Sequence, residues 1–513
     1  MLVSTSAQAL TPQQARALVA GEAEARIAAL NGVLAGADEK TVALIQAMSD
    51  DAVKFTDSAV FVMKGALGFD PITGAEATVP DSAEDVINSN QMRSELDVAL
   101  ATIKLFATDA KVRAEAVKTL QGEPDETKLP LIEKAYATEA VPAIKEALAA
   151  LRSAMLLGSA DKAKRLEAAQ ALGASGTPAT KTLLLDRQKV ETEADVRAVI
   201  GVALSAIEGR LAWGERLGVV FTGISLGSIL LLVALGLAIT YGLMGVINMA
   251  HGELMMIGAY ATYVIQNLFR AYLPGAFDAY VLVAIPASFL AAAGVGAVLE
   301  RSVIRWLYGR PLETLLATWG ISLVLQQGVR SLFGAQNVPV ENPAWLSGGV
   351  AAMSNLTLPF NRIAIVVFAV LVLAGVSALI ARTRLGLFVR GVTQNRKMAA
   401  CMGVNTARID TYAFALGSGI AGLAGCALSQ VGNVGPDLGQ GYIVDSFMVV
   451  VLGGVGQLAG TVYAAMGLGV LNKLLEGWQG AVLAKIMVLV FIVIFIQKRP
   501  QGIFALKGRS AEA

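Results

Sequence analysis

Four polar residues lie within an otherwise strongly apolar part of the chain, and their types limit the chemistry available to them. Asn248, His251 and Glu253 lie close together, and Gln457 lies far later in the sequence. Amide side chains both donate and accept hydrogen bonds, so they suit a neutral polar solute. One imidazole beside one carboxylate offers too few ligands for a metal; a proton relay, a polar lining and a helix cap are the alternatives. We expect these four residues to line a translocation pathway.

The surroundings of Asn248 and Gln457 resemble each other. A shift of 209 residues aligns 245–250 with 454–459, and each copy has a helix end, a glycine, an amide and a new apolar segment. Paired broken helices in two half-repeats indicate a translocation path. The alternative is that the glycines only allow close helix packing. The predicted glycines of the breaks are Gly245, Gly252, Gly453, Gly454, Gly456 and Gly460.

A basic segment, 382–410, contains a short helical pattern between two apolar stretches. The pattern predicts a helix from about Asn395 to Met402, closed by a glycine. Small residues on this helix would let a partner protein dock closely. The alternative is a solvated basic loop that only sets the orientation of the chain. The residues assigned to partner contact are Asn395, Arg396, Ala399, Ala400, Gly403 and Asn405.

Several kinds of enzyme site cannot be built from this sequence. Its 513 residues include only two cysteines and one histidine, which excludes a disulfide framework, a thiolate or histidine metal centre, and a Ser/His/Asp triad in the N-terminal part. No GxxxxGK[ST] motif occurs, so any ATP chemistry must come from another subunit. We expect no catalytic residue, no metal, no cofactor and no nucleic-acid partner.

The composition indicates a membrane protein with two unlike parts. The chain is 55% hydrophobic and 16% charged, whereas soluble domains carry about 25% charged residues. Most of the charged residues precede position 211. After position 216, the stretches long enough to cross a bilayer of about 30 Å are 217–246, 249–268, 279–299, 313–333, 362–381, 411–429 and 481–497, with a broken stretch at 442–475.

Basic residues predict which loops face the cytoplasm, because short cytoplasmic loops collect Lys and Arg. The segments 301–310, 382–408 and 498–509 are basic, whereas the loops 334–361 and 430–441 are not. An exported N-terminal part and a cytoplasmic C-terminus require an odd number of crossings. We therefore predict an all-α polytopic membrane domain of about nine crossings, two of them through broken helices.

The first 212 residues predict an exported helical domain. Residues 1–9 end in a small-x-small pattern that predicts a signal-peptide remnant, with an ordinary disordered N-terminus as the alternative. The remaining residues, 10–212, are alanine-rich with a helical period. Within them, residues 112–120 are echoed at 164–172 with an offset of 52 residues, and residues 138–140 at 192–194 with an offset of 54.

These echoes predict a soluble domain of stacked, HEAT-like helix pairs ahead of the membrane domain, 213–513. The alternative is a helical bundle without repeats. The segment 65–92, which is acidic and contains prolines, is expected to be a long loop.

Three motifs of the membrane part resemble one family. The motifs are TYGLMGVINMAHGELMMIGAY, RGVTQNRKMAACMGVN and VVLGGVGQLAGTVYAAMGLG, in that order. Together they resemble the permease subunits of ATP-binding-cassette (ABC) importers for branched-chain amino acids, and the similarity covers about 213–513. The helical extension ahead of it is similar to that of the urea-transporter permeases of this family.

The resemblance implies a passive pathway for urea across the bacterial inner membrane. It implies cytoplasmic ATPase subunits, a second homologous permease and a periplasmic substrate-binding protein as partners, beside the lipid bilayer. It also implies that the helix around Arg396 couples to an ATPase, and that the segments at Asn248–Glu253 and Gln457–Thr461 line the pore. The N-terminal domain would be periplasmic and the C-terminus cytoplasmic.

Three alternatives to a urea importer remain open at this point. One is a permease of the same kind for branched-chain amino acids or short amides. The others are an ATP-independent urea channel, which needs no coupling helix, and a receptor that the membrane part only anchors.

Overall fold

The structure is a computed structural model, and it describes residues 10–34, 38–56, 58–65, 67–80, 82–122, 128–499 and 501–504. The predicted signal-peptide remnant, 1–9, lies outside the described residues. The chain divides into two compact units, Met1–Ala212 and Trp213–Ala513. Both units are mostly helical.

The first unit is built from short helices that begin at polar capping residues. Thr11, Asp38, Ser89, Asp161 and Thr177 each accept a hydrogen bond from a backbone N–H in the first turn of the helix that follows, which satisfies a donor that the helix leaves free. The helices are α1 (Pro12–Val19), α2 (Ala23–Leu34), α3 (Glu39–Ser49), α4 (Asn90–Lys104), α5 (Ala110–Gly122), α6 (Leu129–Thr138), α7 (Pro142–Leu156), α8 (Lys162–Ser175), α9 (Pro178–Val190) and the start of α10 (Ala194–Met244).

A small sheet interrupts these helices, so the purely α-helical expectation and the long loop at 65–92 are both wrong here. Its antiparallel strands follow the order β4-β3-β2-β1-β5. Val53 and Val60 bury their side chains in the same core as α1 to α4, and this burial stabilises strands too short to show a clear alternating pattern. The strands are β1 (Val53–Phe55), β2 (Val60–Lys64), β3 (Leu67–Phe69), β4 (Glu76–Ala77) and β5 (Glu84–Asp85).

The later helices of the first unit repeat at a constant spacing. Helices α4, α7 and α10 begin at Asn90, Pro142 and Ala194, so each start follows the previous one by 52 residues. Buried residues recur with the same offset, as they would where each repeat packs on the next. They are Met92, Ile144 and Val196 in the first turn and Leu96, Leu148 and Ile200 in the second.

A buried ion pair repeats with the same offset. Arg113 donates from Nε and Nη2 to both carboxylate oxygens of Glu139, at 2.8 and 3.0 Å. Arg165 donates in the same way to Glu191, at 3.0 and 3.2 Å. The counterpart of Glu139 is therefore Glu191, so the 54-residue echo, which aligns Glu139 with Glu193, is two residues out of register. The HEAT-like classification stays a prediction.

The second unit contains nine helices of 16 residues or more within its described part. They are the later part of α10, α11 (His251–Tyr272), α12 (Tyr280–Ser302), α13 (Pro311–Phe333), α14 (Phe360–Arg382), α17 (Thr406–Ser429), α18 (Leu438–Gly453), α19 (Leu458–Gln479) and α20 (Ala481–Lys498). Between them lie a hairpin, β6 (Gly349–Met353) and β7 (Leu356–Pro359), and two shorter helices, α15 (Arg384–Gln394) and α16 (Arg396–Cys401).

Six helices of the described chain are long and apolar enough to cross a membrane. They belong to α10, α12, α14, α17, α19 and α20, and α18 is a shorter apolar helix. Helices α11 and α13 are as long as the others but carry more polar residues, including Glu253 and Gln326. The prediction of nine crossings is therefore supported for six helices and stays a prediction for the other three.

Glycines allow the central helices of this unit to pack closely. A Cβ atom built on Gly258 of α11 would lie 2.2 Å from the carbonyl oxygen of Gly422 in α17, and one on Gly425 would lie 1.9 Å from that of Met255. Such contacts bring helices together in a bilayer, where apolar burial gives little driving force. Helix α17 is consequently almost fully buried between α11 and α12.

The loops form two groups at opposite ends of the membrane helices. Val338 and Val434 form a β-bridge with N···O distances of 2.8 and 2.9 Å, which joins the two loops predicted to face outward. At the other end, Arg305 and Arg396 of the first two basic segments contact the start of α17. The grouping agrees with the predicted topology, and which group faces the cytoplasm stays a prediction.

Candidate functional site

The first predicted break is present between α10 and α11. Gly245 adopts a φ of +65° immediately after the end of α10, a conformation that favours glycine. Asn248 is buried, and its Oδ1 accepts a hydrogen bond from Ala250 N at 3.0 Å. Its Nδ2 has no hydrogen-bond partner among the described residues. Asn248 therefore shapes the break and leaves one buried donor free.

Glu253 lies in the first turn of α11 and is almost completely buried. Its Oε1 accepts hydrogen bonds from Ser322 Oγ at 2.9 Å and from Gln326 Nε2 at 2.8 Å. Its Oε2 has no partner among the described residues. A buried carboxylate is costly unless it is paired, so the free oxygen marks a place where a cationic or hydrogen-bond-donating group would be stabilised.

A polar stripe runs along α13 and faces these residues. It consists of a polar side chain at every fourth position, which places all five on one side of the helix. Thr318 accepts from Met249 N at 3.2 Å in the first break, and Ser322 and Gln326 contact Glu253. The members of the α13 polar stripe are Thr314, Thr318, Ser322, Gln326 and Arg330.

The four-residue spacing of these polar residues in an apolar segment is the sequence signal that identifies the stripe. The predicted pathway residues do not include it, because the stripe has no glycine break and no repeat in the other half.

The side chain of His251 forms no hydrogen bond with Glu253 in the described part of the chain. Its Nε2 lies 3.1 Å from the carbonyl oxygen of Val233 in α10, and its Nδ1 has no hydrogen-bond partner among the residues that the structure describes. The ring also packs against Gly236, where a Cβ atom would lie 3.1 Å from it. These contacts place His251 between α10 and α11 and favour a packing role over a proton relay.

The second predicted break is also present, between α18 and α19. Gly454 and Gly456 have φ values of +98° and +79°. Gln457 is half-buried, and its backbone oxygen accepts from Thr461 N and Oγ1, both at 3.0 Å. No hydrogen bond of the Gln457 side chain is found within the described residues. The break therefore lies where the sequence predicts it.

Three of the predicted break glycines are explained by packing. A Cβ atom on Gly453 would lie 2.5 Å from the carbonyl carbon of Gly460, and one on Gly460 would lie 1.9 Å from the carbonyl oxygen of Gly453. Gly252 meets Gly439 of α18 in the same way, at 2.6 Å from its carbonyl oxygen. The helix-packing alternative is therefore supported for these three positions.

The two breaks meet through backbone atoms rather than through their amides. A Cβ atom on Gly242, near the end of α10, would lie 2.8 Å from the Cα atom of Gly456. The side chains of Asn248 and Gln457 form no hydrogen bond with each other in the part of the chain that the structure describes. Near the glycines lies a cavity of about 350 Å³, lined by both of them and by Arg390, Thr393 and Gln394 of α15, among others.

The predicted partner helix is present as α16. Asn395 caps its start by accepting from Met398 N at 2.9 Å, and Gly403, with a φ of +84°, follows its end. Asn405 then caps α17 by accepting from Arg408 N at 3.1 Å. These capping residues are local signals, so the sequence predicts the helix to within a residue at each end.

Only part of α16 is free to meet a partner. Ala400 is exposed, whereas Ala399 is buried against Val392 and Ile409. Arg396 forms an ion pair with Asp410 of α17. The assignment of Ala399 to a docking surface is therefore wrong, because its methyl group fills the space between α15 and α17.

Residues 219–496 match a protein family described as "Branched-chain amino acid transport system / permease component". The chain is 29% identical over 285 residues to the high-affinity branched-chain amino acid transport system permease protein BraD of Pseudomonas aeruginosa, covering 55% of this chain and 93% of that protein. It is 29% identical over 293 residues to LivH of Escherichia coli K12, with the same coverage of both chains.

A shorter match has a different cargo in its name. The autoinducer 2 import system permease protein LsrC of Salmonella paratyphi B is 30% identical over 162 residues, covering 31% of this chain and 44% of that protein. No solved structure gives a significant match to the chain.

Proposed function

The chain belongs to the family of permease components of branched-chain amino acid transport systems, and from this premise we propose that 213–513 form one of two membrane subunits of an ATP-driven importer. The match spans most of this unit, 219–496. Cytoplasmic ATPase subunits drive transport, a substrate-binding protein delivers the solute, and the C-terminus lies in the cytoplasm. The first unit lies outside, as a HEAT-like domain.

The observation that carries the proposal is the buried polar contact between α11 and α13. Glu253 of α11 accepts from Ser322 and Gln326, and the backbone N–H of Met249, next to Asn248, donates to Thr318, so the first break and α11 both contact the α13 polar stripe. Buried polar groups between the helices of a membrane domain are costly and mark solute pathways. Separation of α11 from α13 would expose these groups to a passing solute.

The preferred substrate is a branched-chain amino acid. Its ammonium group matches the free Oε2 of Glu253, and its carboxylate matches the free Nδ2 of Asn248. The match to this chain covers almost the whole length of BraD and of LivH, and the names of both relatives state the same substrate class. Both arguments favour an amino acid over a neutral solute.

Urea is the second candidate. Its carbonyl accepts hydrogen bonds from amides such as those of Asn248 and Gln457, and it needs no charged partner. The relatives match only 55% of this chain, and the family match at 219–496 leaves the first unit outside it. An extension of this kind is the feature that resembles urea-transporter permeases. Urea, however, would leave the carboxylate of Glu253 without a cation.

Uptake in a strain that lacks its own importers tests the proposal. The full chain is expressed with its ATPases, second permease and binding protein, and uptake of radiolabelled leucine and urea is measured with and without metabolic energy. We expect energy-dependent leucine uptake that falls at least tenfold in Glu253→Gln. Glu313→Gln, at an exposed glutamate paired with Arg310, is the matched control. Urea uptake alone would select the second candidate, and no energy-dependent uptake of either would contradict the importer.

Cross-linking tests the docking of α16. In a variant with Cys401→Ser and Cys426→Ala, we expect Ala400→Cys to cross-link to an ATPase subunit. Ala351→Cys, exposed in β6 at the other end of the unit, should not. Equal labelling of both positions would contradict the assignment of α16.

A further inference from the structure

A group of charged and hydroxyl side chains joins the end of α12 to the start of α17. Its centre is Glu300, which is completely buried near the end of α12. The carboxylate accepts from Thr411 Oγ1 at 2.6 Å, from Tyr308 Oη at 3.3 Å and from Arg305 Nη2 at 3.4 Å. These bonds connect α12, the loop after it and the first turns of α17.

A second buried carboxylate extends this group to α16. The Asp410 side chain is 3% exposed and pairs with Arg396, the first residue of α16, through both terminal nitrogens of the guanidinium group. The same guanidinium lies over the ring of Tyr308, 5.0 Å from its centroid. Arg396 therefore contacts both Asp410 and Tyr308, and Tyr308 in turn binds Glu300. The group consists of Glu300, Arg305, Tyr308, Arg396, Asp410 and Thr411, and we refer to it as the α16 anchor.

Tyr308 and Arg396 each have a distinct task in the anchor. Tyr308 must be protonated to donate to Glu300, and burial together with the charges of Asp410 and Glu300 raises the pKa of its phenol. Arg396 supplies the cation that Asp410 needs where it is removed from water. An arginine fits both tasks because its planar group bonds a carboxylate with two nitrogens and stacks on a ring.

Helix α16 depends on such contacts for its position. It has six residues, and a helix this short is not stable on its own. Besides its caps, the structure gives it one buried side chain, Ala399, and one ion pair to α17, through Arg396. The ion pair is therefore the polar contact that connects the start of α16 to the membrane helices.

We propose that Arg396 is a positioning residue that ties α16 to α12 and α17 through the α16 anchor, and not a contact to the ATPase. The inference rests on the proposed function, in which α16 meets the ATPase. A movement imposed on α16 then reaches α12 and α17 together, because the anchor contains the ends of both. Ala400, on the exposed surface of α16, remains available for docking.

Two variants of the anchor and one control test the proposal in the complete transporter. Asp410→Asn removes the charge that Arg396 meets, and Tyr308→Phe removes the bond to Glu300 while keeping the ring. Arg408→Gln is the control, because it removes an exposed positive charge near α16 that has no ion pair within the described residues. The readouts are ATPase co-purification, basal ATP hydrolysis, and leucine taken up per ATP in proteoliposomes.

We expect co-purification and basal hydrolysis to stay within twofold of the wild type, and uptake per ATP to fall at least tenfold in Asp410→Asn and less in Tyr308→Phe. Arg408→Gln should behave as the wild type. Unchanged uptake per ATP in Asp410→Asn would overturn the inference. So would an Arg396→Lys variant that loses the ATPase while Asp410→Asn retains it, since Arg396 would then be a docking residue.

Hydrogen exchange of the full chain in detergent separates this inference from the proposed function. Faster amide exchange in α16 and the first turns of α17 is expected in Asp410→Asn, and unchanged exchange would overturn the anchor even if uptake per ATP fell in this variant. A wild-type transporter that shows no ATP-dependent uptake would instead contradict the proposed function, while faster exchange in the variant would still support the anchor. Folding of each variant is checked by its elution as a single species.

Discussion

Gly242 of α10 and Gly456 of the second break are in direct backbone contact. A Cβ atom on Gly242 would lie 2.8 Å from the Cα atom of Gly456, and Gly456 has a φ of +79°. The contact joins the two breaks at one point, although their amides, Asn248 and Gln457, are not joined. Because Gly242 has no side chain, the backbone of the second break can turn directly against α10.

The first prediction is that Gly242→Ala weakens the second unit. The added methyl group would clash with backbone atoms, which cannot move away as a side chain would, and overpacking of this kind costs about 1–3 kcal/mol. We expect a lower thermal unfolding midpoint of the detergent-solubilised chain and lower leucine uptake. Gly467→Ala in α19 is the control, because an added Cβ atom there would meet no atom outside its own helix backbone within 4 Å in the described part of the chain, and this variant should be neutral or slightly stabilising. Equal midpoints for the two variants would contradict the prediction.

The second prediction concerns the repeated ion pairs of the first unit. Glu191 accepts from Arg165 and also from Arg187, so Glu191→Gln leaves two arginines without their carboxylate. Breaking a buried pair costs about 3–5 kcal/mol, and we expect the local stability of α8 to α10, measured by hydrogen exchange in the full chain, to fall by that order. Glu133→Gln, which removes a half-exposed partner of Arg152, is expected to change it by less than about 1 kcal/mol.

The third prediction is an acid limit to the stability of the first unit. Hydrogen bonds from Arg113 lower the pKa of Glu139 to about 2. Burial alone would raise the pKa of Glu191, but bonds from Arg187, the backbone and Arg165 outweigh it and lower that pKa to about 2 as well. Because both values lie below the ordinary 4.5, the stabilisation is complete above about pH 4.5 and is lost as the pH falls toward 2.

We therefore expect the exchange protection of α5 to α9, corrected for the intrinsic pH dependence, to be constant from pH 7 to 5 and to fall below pH 4. The Glu139→Gln/Glu191→Gln double variant is the control, since its protection should be lower at pH 7 and should change less on acidification. The same loss of protection on acidification in wild type and double variant would assign the acid sensitivity to other groups.

Local signals made parts of this structure predictable from the sequence. Asn395, Gly403 and Asn405 mark the ends of α16 and the start of α17, because capping depends on residues within a few positions of one another. The second break follows from consecutive glycines at 453 and 454, and the 52-residue offset follows from the pattern around Arg113 and Arg165. Each of these features depends on residues that are close together in the sequence.

Long-range contacts were not predictable in the same way. In the sequence, nothing indicates that Arg396 pairs with Asp410, because the pair forms only when α17 packs beside α16. In the same way, nothing near Glu253 indicates its partners, Ser322 and Gln326, because they lie about 70 residues later in α13. The strands β1 to β5 escaped prediction because segments of two to five residues are stabilised by pairing and burial rather than by their own pattern.

The last prediction concerns the segment 501–504, which covers the second break. Ile503 N donates to the carbonyl oxygen of Leu452 at 2.8 Å, and the ring of Phe504 stacks on that of Tyr463 with centroids 5.8 Å apart. Phe504→Ala removes the stack, and such aromatic pairs contribute about 0.5–1.5 kcal/mol beyond their burial. We expect faster hydrogen exchange at the start of α19 and lower uptake.

Phe360→Ala is the matched control, because Phe360 is exposed to nearly the same degree as Phe504, 38% against 39%, and has no aromatic partner recorded within the described residues. It lies at the start of α14, away from the second break, so exchange in α19 should stay as in the wild type. If both variants accelerate exchange in α19 equally, or neither does, then the segment 501–504 does not hold the break closed, and its contact with Leu452 is incidental to the position of α19.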